Sequence, residues 1–523
     1  MFLTPVWGMA ATRAAFAQPM RLAVVGSGPS GFYTASRVLQ SFDVAHGTGQ
    51  DGVEVHMFER LPTPFGLVRY GVAPDHPEVK NVENKFAEVA SDARFRFFGN
   101  VCVTASNDTP PPPSSLAVNV PITELAPYYT HVLFAYGANE ARPLGVPGSG
   151  RRELRNVYPA LDFVEWYNGH PDAHDPAMED AYSLNRVDGS KIHRAAIVGA
   201  GNVALDVARV LLRQCPSVPA GESLAKTDVP QPVLDHLASW QIEEVNLYVR
   251  RGAPHLAFTN KELREMLGLP HVAFRPLPAD LLDTGLEQVN KLAEAGQKRA
   301  MTRLLGQLKK GSKLAYNESQ YPRWGLHLLR SPAALHGDGA TPPALASVDW
   351  NVTQISEHGR AVTQGETVRS DEDLLISSVG YRSEPLRGET DSAMQVPFDE
   401  TRCVIPNIRN RVVDEEGQPI PGMFVSGWLA TGPVGVIVST MFDAFGVADE
   451  MVKEWRASSI PTLCGAAGHA EALRDTPEAL QGQRTVSFDQ WRVIDEAERQ
   501  RGEALGKTRE KFLTVADMLK VVE

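Results

Sequence analysis

The chain has 523 residues, of which 43% are hydrophobic and 22% charged, and its 63 Asp and Glu against 51 Lys and Arg give a net charge of -12. This acidic balance disfavours nucleic-acid binding, which usually needs a basic surface. The composition is close to ordinary globular usage, so it gives no support to a disordered, collagen-like or coiled-coil protein. At about 150 residues per domain, the length predicts about two to four domains.

Cysteine usage and hydropathy indicate the compartment. The sequence has four cysteines, widely spaced and without a CxxC pair: Cys102, Cys215, Cys403 and Cys464. We therefore predict no metal site, no iron-sulfur cluster within the chain and no dithiol relay. No run of about 18 apolar residues occurs, so we expect no membrane span. Together these features predict a reduced, soluble protein of the cytoplasm.

The first 19 residues are rich in alanine and contain one arginine, Arg13. A secretory signal normally carries basic charge before its apolar core, whereas Arg13 follows the apolar residues. Met20 begins the first predicted strand directly. We therefore expect residues 1–19 to be a disordered tail or the product of an upstream start codon, with cleavable targeting as the alternative.

The first glycine motif lies between a short apolar strand and a helical pattern. Gly26, Gly28 and Gly31 form G-x-G-x-x-G. Glycines in this turn let the backbone approach a pyrophosphate, whose charge is met by the N-H groups at the helix N-terminus. A second strand over 53–59 ends in Glu59, which is placed to accept the hydroxyls of an adenosine ribose. The pattern predicts a dinucleotide site, because a merely tight turn would not need all three glycines.

The second glycine motif, at 195–204, reads G-x-G-x-x-A, and its following strand over 245–251 ends in Arg250 and Arg251. Arginines suit the 2'-phosphate of NADP(H), although two exposed arginines can also simply end a strand. Strand and helix alternate around both motifs. The sequence therefore predicts the α/β class, with two Rossmann-like dinucleotide-binding domains built on parallel, doubly wound sheets.

Two dinucleotide sites in one chain suggest one site for a bound redox cofactor and one for a mobile nicotinamide. That arrangement predicts an FAD-dependent NADPH oxidoreductase. Enzymes that pass electrons through a dithiol need a cysteine pair, which this sequence lacks. The electron acceptor is therefore expected to be a separate molecule.

Several segments carry the motifs of one known enzyme family. They are residues 26–31, LPTPFGLVRYGVAPDHP at 61–77, RFRFFGN at 94–100, GNVALD at 201–206, RRG at 250–252, GW at 427–428 and GPVGVI at 432–437. These segments resemble the ferredoxin-NADP reductases of the adrenodoxin-reductase type. The resemblance covers about residues 20–455 and implies a glutathione-reductase-like arrangement, in which an inserted NADP domain splits the FAD domain.

The resemblance implies a division of the chain into segments. After the 1–19 tail come the first FAD-binding segment at 20–138, the NADP-binding domain at 139–372, the second FAD-binding segment at 373–455 and a C-terminal extension at 456–523. The extension lies outside the resemblance. Because it is polar, we expect it to be peripheral, with a helix over 488–501.

The resemblance also implies the cofactor contacts. Besides the first three glycines, the expected FAD contacts are Ser30, Glu59, Leu67, Val103, Trp428, Gly435, Val436 and Ile437. The expected NADP contacts are Arg142, Asn202, Val203, Ala204, Leu205, Arg250, Arg251 and Glu262, with Gly435 touching both cofactors. On its own, Trp428 would be read as a core aromatic residue.

Two further residues are placed by the resemblance near the flavin and nicotinamide rings. His76 and Glu265 are assigned orienting or proton-balancing roles, since hydride transfer needs no side-chain nucleophile. A structural histidine in a turn and a solvated helix charge are the alternatives. The implied reaction takes hydride from NADPH to FAD and then passes electrons one at a time to a ferredoxin.

The charge distribution offers a place for that partner. Residues 245–330 contain 14 Lys and Arg against 7 Asp and Glu, although the whole chain is acidic. Ferredoxins are typically acidic, so a basic patch there would steer docking. The most clustered positions are Lys291, Lys298, Arg299, Arg303, Lys309, Lys310 and Lys313. A solvated helical face is the alternative explanation.

Two other functions remain open from the sequence. One is another NADPH-dependent FAD oxidoreductase, such as a glutamate-synthase-like electron-input subunit or a quinone reductase. The former would usually bring cysteine-rich cluster segments, which are missing. The other is a sensor that binds flavin without turnover.

Overall fold

The computed structural model describes residues 19–43, 52–106, 116–215, 218–219, 221–292, 294–318, 320–388, 394–435, 437–457, 463 and 476–523. The tail predicted at 1–19, apart from its last residue, lies outside the described residues, as do Val436 and Cys464.

The described strands are, in chain order, β1 (Met20–Val25), β2 (Val53–Phe58), β3 (Phe95–Phe98), β4 (Val101–Thr104), β5 (Val118–Pro121), β6 (His131–Phe134), β7 (Glu140–Ala141), β8 (Val157–Pro159), β9 (Arg194–Val198), β10 (Glu244–Val249), β11 (Ala273–Phe274), β12 (Arg323–Leu328), β13 (Arg330–Gly337), β14 (Leu345–Ile355), β15 (Ala361–Asp371), β16 (Leu374–Ser377), β17 (Tyr381–Arg382), β18 (Asn407–Ile408), β19 (Arg411–Val413) and β20 (Pro419–Val425).

The described α-helices are α1 (Pro29–Ser41), α2 (Leu67–Tyr70), α3 (Pro77–Lys80), α4 (Val82–Ala90), α5 (Ile122–Leu125), α6 (Ala160–Tyr167), α7 (Asn202–Arg213), α8 (Gln231–Ala238), α9 (Asn260–Gly268), α10 (Ala279–Asn290), α11 (Ala295–Lys310), α12 (Trp428–Thr431), α13 (Ile437–Ala457), α14 (Phe488–Ala504) and α15 (Val515–Val521).

The first sheet combines strands from distant regions of the chain. Its seven strands lie in the order β18-β19-β20-β6-β1-β2-β3, and those from β20 to β3 are parallel. β1 is buried along its whole length, as suits a parallel strand that helices cover on both faces. α1 and α13 pack together in the same core. The first unit is therefore formed by the N-terminal region of the chain and the returning region together.

The second sheet has six strands in the order β11-β12-β10-β9-β16-β8, and its pairings are parallel. The predicted boundary at residue 373 differs from the structure. β16, which that boundary assigns to the second FAD-binding segment, lies between β9 and β8 of this sheet, with Ile376 opposite both Ile197 and Tyr158. A short apolar run suits a buried parallel strand of either sheet, so the local sequence could not assign it.

A narrow ribbon connects the two units. β7 and β17 pair antiparallel, with Tyr381 opposite Ala141, and the N-H of Arg142 donates to the carbonyl of Gly380 at 3.0 Å. The chain therefore leaves the first unit and returns to it through neighbouring strands. The sheets on either side confirm the predicted α/β class, with one Rossmann-like unit inserted into the other. An antiparallel sheet, β13-β14-β15, extends from the second unit.

The C-terminal extension differs from the prediction because it is not peripheral. α14 turns Phe488, Trp491 and Ile494 into the core of the first unit, where they are 7%, 3% and 0% exposed. The rings of Phe488 and Trp491 lie 6.4 and 6.0 Å from that of Phe65. The polar composition of the segment concealed this packing, since a helix needs only one apolar stripe to pack against a domain.

No helix within the described ranges combines the length and the apolar character that crossing a membrane requires. Cys102, Cys215 and Cys403 are free cysteines, and the first two are buried.

Candidate functional site

A cavity of about 1070 Å³ lies at the carboxyl ends of β1, β2 and β6 and extends to β16 of the second sheet. Its walls therefore come from both units. Many of the predicted cofactor residues line it: Gly26, Gly28, Ser30, Glu59, Leu67, Val103, Arg142, Trp428 and Ile437. The cavity brings together residues that are up to about 400 positions apart in the sequence, including Arg142, which was predicted for the other cofactor.

The first glycine turn is shaped by close backbone contacts. A Cβ atom on Gly31 would stand 2.3 Å from the carbonyl oxygen of Gly26, whereas a Cβ on Gly28 would meet no atom within 4 Å. Gly28 is the N-cap of α1, and Pro29 follows it in the first helical turn. The helix N-terminus and the open side of Gly28 therefore both face the space in which a pyrophosphate would bind. The turn fits a dinucleotide.

Glu59 follows β2 and already bonds to the first glycine turn. Its carboxylate accepts hydrogen bonds from the N-H of Ser27 at 3.1 Å, the hydroxyl of Ser27 at 2.7 Å and the N-H of Leu61 at 3.1 Å. A carboxylate has about four acceptor positions, so capacity remains for a ribose hydroxyl. Glu59 thus fixes the turn as well as lining the cavity.

One end of the cavity carries two aromatic side chains, one from the ribbon that connects the units and one from the segment that follows β20. Trp428 starts α12, is half-buried and lies with its ring centre 5.8 Å from that of Tyr381. Ser30 donates to the hydroxyl of Ser426 at 2.6 Å, which joins α1 to the strand that leads to Trp428. Trp428 lines the cavity and is only half-buried, so it is not a residue of the buried core, which was the alternative explanation.

The second glycine turn has the same design. Gly201 is the N-cap of α7 and a Cβ there would meet no atom within 4 Å, whereas a Cβ on Gly199 would stand 2.3 Å from the carbonyl oxygen of Ser378. The side chain of Asn202 accepts from the N-H of Thr259 at 2.8 Å, so it joins this turn to α9. The turn is therefore open on the side where a phosphate would approach.

The remaining predicted residues of this helix turn differ in exposure. The side chains of Ala204 and Leu205 are fully buried, while Val203 is half-buried. Ala204 and Leu205 therefore present no side chain to a cofactor. Any contact that they make would come from the backbone of the first helical turn.

Arg250 and Arg251 follow β10, next to the second glycine turn, whose Gly199 N-H donates to the carbonyl of Tyr248 at 3.0 Å. Arg250 is exposed and Arg251 half-exposed. Neither guanidinium has an ion pair among the described residues. Both are therefore available to an anionic ligand.

A charged cluster lies where the two units meet. His76, from the first unit, has its Nε2 atom 2.7 Å from an oxygen of Glu265 and 3.2 Å from a nitrogen of Arg209. Arg209 also bonds to Glu262 at 3.2 Å and to Asp75 at 2.5 Å. The structure thus brings His76 and Glu265 together as partners. Glu262 forms an ion pair with Arg209, and its contact with NADP stays a prediction.

Burial sets the electrostatics of this cluster. Burial raises the pKa of Asp206 to about 6, although its bond to Arg209 at 2.7 Å opposes the shift. Burial would also raise the pKa of Asp75, but the hydrogen bonds and charge of Arg209 outweigh it and lower that pKa. Arg209, only 1% exposed, is therefore the cation that holds these carboxylates together.

A partly buried acid, Glu165, lies in the wall of the cavity. Burial raises the pKa of Glu165 to about 8, with further contributions from the nearby Asp172 and Asp162. Glu165 and both aspartates line the cavity, and Asp172 is paired with Arg60 at 2.9 Å. This wall therefore carries less negative charge near neutral pH than its three carboxyl groups suggest.

Sequence reasoning missed two residues of the site. Arg209 stands in the apolar helix pattern of α7, and a fully buried arginine among apolar neighbours is itself a signal of nearby carboxylates. Tyr381 is the other, and nothing local in the sequence indicates its contact with Trp428.

The fold and the cavity define an oxidoreductase with two dinucleotide-binding units. No model of a protein family matches the chain. The bovine protein named NADPH:adrenodoxin oxidoreductase, mitochondrial, is 37% identical over 514 residues, which cover 97% of this chain and 92% of the relative. The Arabidopsis thaliana protein of that name is 35% identical over 97% of this chain and 96% of its own length.

A solved structure agrees with these relatives. Mycobacterium tuberculosis FprA in complex with NADPH aligns with a TM-score of 0.77 and 32% identity, covering 97% of this chain and all of that one. The chain belongs to the NADPH:adrenodoxin oxidoreductase family. The resemblance found in the sequence is therefore confirmed, and the match includes the C-terminal extension that the resemblance left out.

The predicted cytoplasmic location is wrong, because the curated relatives are mitochondrial proteins. That prediction came from unpaired, dispersed cysteines and from the absence of a long apolar run. Cysteine usage separates reducing from oxidising compartments. It does not separate one reducing compartment from another, so it could not assign the protein to the cytoplasm.

Proposed function

We propose that this protein carries electrons from NADPH through FAD to an iron-sulfur ferredoxin, one electron at a time. It is an oxidoreductase, and FAD and NADP(H) are its cofactors. The observation that carries the proposal is a cavity that both units share. The first glycine turn and Ser377 of β16 both line it, and the carbonyl of the adjacent Ser378 lies against Gly199 of the second glycine turn.

The residues around the cavity fit FAD. The N-terminus of α1 and the open side of Gly28 would bind the pyrophosphate, and Glu59 would bind the ribose. Leu67, Trp428 and Ile437 would bound the ring system, and Val103 would line the adenosine end. When bound, FAD accepts two electrons together from NADPH and releases them singly, which matches a one-electron partner.

The second unit fits NADP(H). The N-terminus of α7 would bind the pyrophosphate through the backbone of residues 202–205, and Arg250 and Arg251 would bind the 2'-phosphate. Arg142 at the ribbon and Gly435 before α13 are placed by the same proposal near the nicotinamide end. Glu262 would act there through its ion pair with Arg209.

His76 and Glu265 have proposed roles in orientation and proton balance. The Nε2 atom of His76 faces an acceptor, Glu265, and a donor, Arg209, and it cannot bond to both in one protonation state. With a proton on Nε2 the histidine donates to Glu265; without it, Nε2 can accept from Arg209. The position of this one proton therefore decides which of the two neighbours His76 bonds to, at the place where the two units meet.

Anaerobic stopped-flow mixing of the purified protein with NADPH or NADH tests this function. We expect NADPH to bleach the visible flavin absorbance rapidly and NADH to do so much more slowly. Cytochrome c reduction should then depend on added ferredoxin. Absence of bleaching would favour the flavin-binding sensor, and acceptor reduction without ferredoxin would favour another NADPH-dependent flavoprotein such as a quinone reductase.

The ferredoxin partner is acidic in this proposal, and the basic surface of α11 is proposed as its docking site. Of the predicted positions, Lys291, Arg299, Arg303, Lys309, Lys310 and Lys313 are exposed, and none of them has an ion pair among the described residues. The opposite side of α11 buries Leu304, Leu305 and Leu308. The helix therefore holds its charges on the solvent side, where they would attract an acidic protein.

We expect ferredoxin reduction to slow as salt is added, while reduction of a small neutral dye changes little. At physiological ionic strength, salt largely screens the attraction between exposed charges that are more than about 8–10 Å apart. The double variant Arg299→Gln/Arg303→Gln should show lower kcat/KM for ferredoxin and a weaker salt dependence. Arg402→Gln, at an exposed arginine of the first unit, is the matched control. Equal salt dependence for dye and ferredoxin would contradict docking on α11.

A further inference from the structure

The segment that joins α14 to α15, residues 505–514, is here named the C-terminal strap. Lys507, Arg509, Glu510 and Lys511 of the strap are each 7% exposed or less. Burying this many charges is costly unless each is paired and hydrogen-bonded. The position of the strap is therefore determined by the partners of these four side chains.

Lys511 bonds to both units at once. Its ammonium group donates to a carboxylate oxygen of Asp228 at 2.9 Å, to the carbonyl of Asn168 at 2.8 Å and to the carbonyl of Arg69 at 3.2 Å. An ammonium group has three donors, so all of them are used. Arg69 belongs to the first unit, whereas Asp228 and Asn168 belong to the second.

These acceptors lie directly behind the wall of the cavity. Arg69 precedes Tyr70, and Asn168 lies two residues before His170. Tyr70 and His170 both line the cavity, and their ring centres are 4.9 Å apart across the boundary between the units. Lys511 therefore ties together the two backbone segments that meet at this wall.

The strap is anchored on each unit separately. On the first unit, Glu498 of α14 is fully buried and accepts from Arg69 at 2.7 Å and from Arg509 at 2.9 Å. On the second unit, the carboxylate of Glu510 accepts from the N-H of Gln231 at 3.1 Å. With both ends fixed in this way, the strap cannot follow a movement of one unit without breaking buried bonds.

We propose that Lys511 is a positioning residue that holds the two dinucleotide-binding units at the separation needed for hydride transfer. This inference rests on the proposed function, since only a reaction between two bound dinucleotides needs this alignment. A misplacement of about 1 Å in such a reaction can cost about 100-fold in rate. Most of the proposed contacts of each dinucleotide lie within one unit, so we expect binding to depend less on the strap than hydride transfer does.

Lys507 is the matched control, because it is buried in the same strap but does not reach the first unit. Its ammonium group donates to the carbonyl of Val229 and to Glu510, the latter at 2.7 Å. Its side chain is 0% exposed, against 1% for Lys511. Removing either ammonium group therefore disrupts a comparable buried network, but of these two lysines only Lys511 bonds to both units.

The test compares Lys511→Met with Lys507→Met in the full-length protein with flavin bound. We expect both variants to lose thermal stability and to keep flavin content and NADP+ affinity within about threefold of wild type. Lys511→Met should reduce the flavin at least about tenfold more slowly on mixing with NADPH. Lys507→Met should stay within about twofold. Amide hydrogen exchange should accelerate at residues 66–71 and 167–170 in Lys511→Met and not in Lys507→Met.

If Lys511→Met does not accumulate as folded protein, Asp228→Asn is the second variant, since it keeps the shape of the acceptor and removes its charge. Asp228 also accepts from Lys80 of the first unit at 2.6 Å, so this variant weakens both lysine contacts between the units. It should slow hydride transfer in the same direction. A wild-type rate in Lys511→Met or Asp228→Asn, or an equal slowing in Lys507→Met, overturns the positioning role. If NADPH does not bleach the flavin of the wild-type protein, the proposed function is overturned instead. The hydrogen-exchange comparison separates the two failures, because it reports on the contacts of Lys511 without any turnover.

Discussion

We expect the Gly31→Ala variant to be isolated with less than about one tenth of the wild-type flavin. The added Cβ would lie 2.3 Å from the carbonyl oxygen of Gly26 and 3.1 Å from a methyl group of Val24. The carbonyl is backbone, so the turn itself must open and move the N-terminus of α1. Overpacking of this kind costs about 1–3 kcal/mol, or about 5- to 150-fold in affinity when the binding loop carries the strain.

The measurement is the ratio of flavin absorbance to protein absorbance, followed by titration of the flavin-free protein with FAD. Gly446→Ala is the matched control, because Gly446 lies in α13 of the same unit and a Cβ there would meet no atom within 4 Å. It should keep its flavin and gain slightly in stability, since alanine favours a helix. Full flavin occupancy in Gly31→Ala would show that the turn does not form the pyrophosphate site.

The second large effect is expected for coenzyme choice. Arg250→Ala should reduce the preference for NADPH over NADH by about 10- to 150-fold, because a hydrogen bond to a charged group contributes about 1.5–3 kcal/mol. The loss should fall on NADPH, whose 2'-phosphate is the group that arginine would bind. NADH has no such phosphate, so its kcat/KM should change little.

Values of kcat/KM for both coenzymes, measured with one dye acceptor, give this preference directly. Arg251→Ala should act in the same direction, and Arg402→Ala, at an exposed arginine in the first unit, should leave the preference unchanged. An equal loss with NADPH and NADH would mean that Arg250 supports the site without recognising the phosphate. The two arginines would then be an ordinary strand end, as the sequence alone allowed.

Both glycine turns could be predicted because their requirements are local. A strand, a turn without side chains and a helix N-terminus follow one another within about ten residues, so their order in the sequence is also their order in space. The ends of the following strands, Glu59 and the arginine pair, were found by the same reasoning. In the structure, the strand that leads to the arginine pair lies beside the second glycine turn, since the N-H of Gly199 donates to the carbonyl of Tyr248.

Other features could not be predicted because they depend on distant regions of the chain. The apolar run of β16 suits a buried strand in either sheet, and only its pairing with β9 assigns it to the second unit. α14 is polar on average, although its apolar side packs on Phe65. Arg209 takes its role from Asp75, which is 134 positions away.

The amino-acid order by itself determined the kind of chemistry. Steric demands within one turn, and the charge at the end of the next strand, predict two dinucleotide sites and favour a different ligand for each. The tertiary structure alone decided how the two units are joined: which sheet contains β16, which carboxylates surround His76, and that the C-terminal strap lies buried between the units. These depend on contacts between segments hundreds of residues apart, whose free energy comes from burial and ion pairing that no short stretch of sequence contains.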